Sequence, residues 1–142
     1  HMENTIQNQE KIKSETSQFY RFQVFIEGTD KSKKKTIGVA YLKDGQNLYS
    51  LRLWSLLNEK YFVLPRKENP AQLLIMTREE SRKTTGNKYF WNIVGHGCVN
   101  SAKGVVELEF DLLDKKLSMS LFPDSNASQV PADVKQTLHI AA

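Results

Sequence analysis

From Phe19 onward the chain is a succession of short segments patterned with a period of two, and this limits its fold more than any single motif does. In YRFQVFIE the set Tyr20, Phe22, Val24, Ile26 is apolar, while Arg21, Gln23, Phe25, Glu27 is mixed. In TIGVAYL bulky Ile37, Val39 and Tyr41 alternate with small Gly38 and Ala40; in NLYSLRLW the set Tyr49, Leu51, Leu53 alternates with Leu48, Ser50, Arg52, Trp54. KYFVL, KYFWNIVG, GVVELEF and KLSMSLF read as further strands. Successive side chains of a strand point to opposite faces, so the alternating segments each turn one face to a core. The Asp44-Gly45 pair reads as a hairpin turn between two of them.

The four prolines fall into two matching pairs. A strand ends at Pro65 or Pro123, a polar spacer follows, and Pro70 or Pro131 opens a new run. Proline is tolerated at the first helical position, where its missing N–H costs nothing; before Pro70, Asn69 can cap and Gln72 can complete a capping box. The expectation is a helix over about Pro70 to Lys83 and another from Pro131 to the end, burying Val134, Leu138 and Ala141. For the first of these a strand, QLLIMT, is the alternative, because a four-residue apolar run does not separate the two by periodicity. The fold class that follows is α+β: two tandem units of antiparallel strands, each followed by a helix packed on a sheet face. Residues 19–84 and 85–142 would be the two repeats of one globular domain, preceded by a flexible polar tail, 1–18, whose His1-Met2 start looks like a cloning scar. A chain of 142 residues with 39% hydrophobic content is enough for one core.

With KKKTIGVAYLKDGQNLYSLRLW in its first unit, this arrangement resembles the PUR-repeat and Whirly-like group of single-stranded nucleic-acid-binding proteins, over Phe19 to Ala142. The resemblance implies the tandem sheet-and-helix fold and a single-stranded DNA or RNA partner. It carries no binding residues across, so the candidate site below is built from strand faces.

Catalysis needs convergent groups, and few are present. His96 and His139 are the candidate bases, and GHGC puts His96 and Cys98 on one side of a strand. Two residues apart on a strand is not how a Cys-His nucleophile is assembled, and the reading is a surface histidine beside a quiet thiol. A single cysteine excludes an internal disulfide and a multi-cysteine zinc site. No catalytic residue, metal site or cofactor is expected, and the chain is not read as an enzyme. The longest aliphatic run, Leu73 to Met76, is far shorter than a membrane span, so a soluble, cytoplasmic protein is expected.

The formal charge is +4, and the excess lies in the first half, densest at Lys31, Lys33, Lys34 and Lys35. On the outer face of the first unit, Arg21 and Phe25 on one strand and Arg52 and Trp54 on another would flank the small Gly38 and Ala40 of the strand between. Bases stack on such rings while Lys and Arg take phosphates. The candidate nucleic-acid-binding residues are therefore Arg21, Phe25, Lys31, Lys33, Lys34, Lys35, Arg52 and Trp54. The competing expectation is a non-enzymatic protein-interaction or oligomerisation module, homodimerisation included, in which Phe25 and Trp54 are covered by a helix, the other repeat or a second subunit.

Overall fold

The computed structural model describes residues 18–27, 33–56, 59–80, 89–124 and 130–141; of the tail expected over 1–18, residues 1–17 lie outside them. Eight strands follow one another: β1 (Phe19–Glu27), β2 (Lys34–Lys43), β3 (Tyr49–Leu53), β4 (Tyr61–Pro65), β5 (Gln72–Glu80), β6 (Tyr89–Asn100), β7 (Val105–Phe110) and β8 (Lys116–Ser120). Each pairs antiparallel with the next, and β8 returns to β1 through Val24↔Met119 and Phe25↔Ser118, closing a barrel. This corrects the α+β expectation. The chain forms a closed all-β barrel in place of two sheets with helices packed on them, and β5 pairs with β6 from Gln72↔Cys98 to Glu80↔Tyr89.

The alternation read from the sequence is spent on filling the barrel. Phe22 and Val24 of β1, Leu51 and Leu53 of β3, Leu73 and Ile75 of β5, and Val106, Leu108 and Phe110 of β7 meet inside, so the interior is a packed core. On β2 the expected faces are exchanged: Ala40 belongs to the interior cluster, while Val39 and Tyr41 are buried on the outer wall. The inner place demands small residues. A Cβ on Gly38 would lie 2.2 Å from the Arg52 carbonyl oxygen, and one on Gly95 of β6 would lie 2.4 Å from that of Glu109. Both glycines neighbour β-bulges, where Ile37 and Val94 are the extra residues of their strands and the wall bends.

What covers Val39 and Tyr41 is α1 (Ala132–Ala141), whose Val134 and Leu138 complete an outer cluster with Phe19. Its start agrees with the sequence expectation: the Pro131 carbonyl accepts from Lys135 N–H, and Asp133 stands in the first turn, where the helix dipole favours a carboxylate. The other expected helix is β5. Asn69 does accept a hydrogen bond from Ala71 N–H at 3.2 Å, but this bond closes a turn that feeds a strand. An asparagine bonded to the backbone two residues on serves an Asx turn as well as a helix cap. Among the described residues no helix is long and apolar enough to cross a membrane.

Candidate functional site

Because the strands run up and down in order, the connections β1–β2, β3–β4, β5–β6 and β7–β8 gather at one end of the barrel, here called the upper end. Two expected residues are drawn away from it. Arg21, low on β1, donates to the Asp124 carboxylate at 2.8 Å, while Asp124 N–H donates back to the Arg21 carbonyl. Arg52 donates to Asp133 of α1, on the wall that the helix covers. Phe25 is buried, with the Lys34 ammonium 4.8 Å from its ring centroid. Lys33, Lys34 and Lys35 are exposed at the upper end. Trp54 is exposed there too, opening a 3₁₀ turn (Trp54–Leu56) directly after Leu53, which pairs with Gly38. Lys31 lies outside the described residues. Phe25, the three described lysines and Trp54 thus share one end, and the two arginines are engaged elsewhere.

The same end holds residues that strand-face reasoning passed over. A groove of about 460 Å³ opens between the β3–β4 connection, β4 to β6 and the β7–β8 turn. Its floor is Tyr61 and Phe110, edge to face with ring centroids 5.1 Å apart. The bulge leaves Val94 unpaired and brings Ile93, 56% exposed, to the rim. Leu56 forms a second side, and Leu112 and Leu113 form the lip. The lip is held by backbone: Asp111 N–H donates to the Val94 carbonyl at 2.9 Å and Leu113 N–H to that of Phe110 at 3.2 Å. Leu112 at its tip is 97% exposed. Glu59 and Asp111 are the charged members of the lining. Burial, and secondarily the Glu59 carboxylate, push the Tyr61 phenol above its ordinary pKa, so it remains a neutral O–H donor. The sequence signal for this lip was the Leu112-Leu113 pair between charges in DLLDKK.

The outer wall carries a second, polar groove of about 340 Å³, lined by Arg66, Gln72, His96, Cys98, Glu107, Glu109 and Lys116 among others. Strand register sets Cys98 opposite Glu107 and His96 opposite Glu109. Yet His96 Nδ1 lies 3.9 Å from the Asp111 carboxylate, Glu107 accepts from Asn100, and the Cys98 thiol faces the Val99 carbonyl at 3.9 Å. The histidine and the thiol are not hydrogen-bonded to each other. Among the described residues no group of three His, Cys, Asp or Glu side chains could hold a metal ion. No protein-family model, curated protein or solved structure matches the chain.

Proposed function

We propose that this protein is a non-enzymatic interaction module that engages a partner with the upper end of its barrel. The observation that carries the reading is Leu112, a leucine 97% exposed on a lip beside an apolar groove. Apolar surface held in water gains about 25 cal/mol for each Å² covered, and contiguous exposed apolar surface marks interaction sites. The architecture supports the same mode. A closed barrel has no free strand edge to offer, so recognition falls to side chains rather than to unpaired backbone. The exposed free thiol of Cys98 suits a reducing compartment such as the cytoplasm.

Selection of a random peptide library on the immobilised protein tests this. Peptides should be enriched on the wild type and on Phe122→Asp, an exposed position near Gly104 at the lower end, and lost on Leu112→Asp/Leu113→Asp. Enrichment indifferent to the leucines would contradict the reading.

A second reading, single-stranded DNA or RNA binding, is favoured by exposed Lys33, Lys34 and Lys35 standing at the same end as Trp54. Lysines would take phosphates while the indole stacks a base. Fluorescence anisotropy of a labelled single-stranded oligonucleotide should then show salt-sensitive binding weakened by Lys34→Ala/Trp54→Ala; no binding at low salt would remove this reading.

A further inference from the structure

We infer that the upper groove takes a basic, apolar peptide segment, an aliphatic side chain seated over Tyr61 and Phe110 with a neighbouring Lys or Arg reaching Glu59 and Asp111. This rests on the interaction-module reading and adds the chemistry of the partner. The groove walls are apolar, but the charges in the lining are of one sign. Among the described residues no Lys or Arg lines the groove, and three cations of this end are engaged away from it: Lys34 lies over Phe25, Arg78 over both the Phe62 and Tyr89 rings, and Lys116 lines the polar groove of the outer wall. Among the described residues Glu59 has no ion-pair partner, and Asp111 has His96 alone, at 3.9 Å with both side chains well exposed. Two carboxylates beside apolar surface attract a cation on an apolar stem and repel anionic amphiphiles and nucleic-acid phosphates alike.

The geometry suits a peptide in particular. Asp111 and Leu112 are adjacent on a turn fixed by the Asp111–Val94 and Leu113–Phe110 backbone bonds, so the carboxylate and the exposed leucine keep one spacing. An apolar residue next to a basic one matches that spacing. The neutral Tyr61 hydroxyl can donate to a peptide carbonyl, and about 460 Å³ falls within the usual range of binding pockets.

The test is to sequence the peptides selected above and synthesise the consensus. An apolar residue flanked by Lys or Arg is expected. Its affinity should fall with added salt and drop about fivefold to tenfold on Glu59→Gln/Asp111→Asn, with thermal stability unchanged. Exchanging the basic residues of the peptide for Glu should abolish binding. A consensus that is apolar without basic residues, or whose affinity ignores the carboxylate substitutions, would overturn this inference and leave the interaction module standing. Failure to enrich any leucine-dependent peptide would overturn both.

Discussion

Gly38 and Gly95 are the residues at which adjacent strands come too close for any side chain. Alanine at either position places a Cβ inside contact distance of a backbone oxygen, 2.2 Å and 2.4 Å respectively. Each substitution should cost about 1–3 kcal/mol or more, read as a fall in the urea midpoint. Gly45 is the contrast. It has open space around it but a φ of 81° at the third position of the Lys43–Gln46 turn, so Gly45→Ala should cost only about 1 kcal/mol, through the backbone alone. A pH dependence belongs to this scale as well. Burial raises the Tyr49 phenol above its ordinary pKa of about 10. The unfolded chain therefore releases this proton first, so the contribution is complete below about pH 10 and is lost as pH rises through the folded value. Tyr49→Phe should flatten the alkaline fall in stability relative to wild type; an unchanged slope would count against it. At this scale the sequence was informative about parity and only partly about side. Alternation put Phe22, Val24, Leu51 and Leu53 on a core face, where they are. For β2 it put Gly38 and Ala40 outward, the reverse of where they stand, because bulk is no guide to the inner face where α1 buries the outer Val39 and Tyr41 too.

The helix is the element that decides what the outer wall can do. Val134 and Leu138 are fully enclosed against Phe19, Val39 and Tyr41, so Leu138→Ala should cost about 2–5 kcal/mol. The Arg52–Asp133 pair joins the same surfaces but is partly exposed, and a double-mutant cycle should give it no more than about 1 kcal/mol. A larger coupling would mean that the helix is held by charge rather than by burial. This helix was legible from Pro131 and the spacing of Val134 and Leu138. The other expected helix was not, since Asn69 makes a bond common to helix caps and Asx turns, and only pairing with β4 and β6 makes Gln72–Glu80 a strand.

Closure is a property of the whole molecule, and no local pattern encodes it. The same alternation serves an open sheet and a barrel; what distinguishes them here is the pairing of Val24 with Met119, between the first strand and the last. Closure also sorts the candidate residues. It leaves Arg21 and Arg52 in ion pairs on the wall and collects Lys33 to Lys35, Trp54 and the leucine lip at one end. The lysines and Trp54 could be picked out by residue type, whereas Leu112 and Leu113 fall between the strands GVVELEF and KLSMSLF, where reasoning from strand faces does not reach. The most direct test of an interaction module working through this end is amide chemical-shift mapping on the ¹⁵N-labelled protein, titrated with a peptide selected on it. Shifts concentrated at Leu56, Glu59 to Tyr61, Thr77, Ile93 to Val94 and Phe110 to Leu113 are the expected result. Shifts centred on β2, β3 and α1 would instead show that the helix-covered wall is the working surface, contradicting the account.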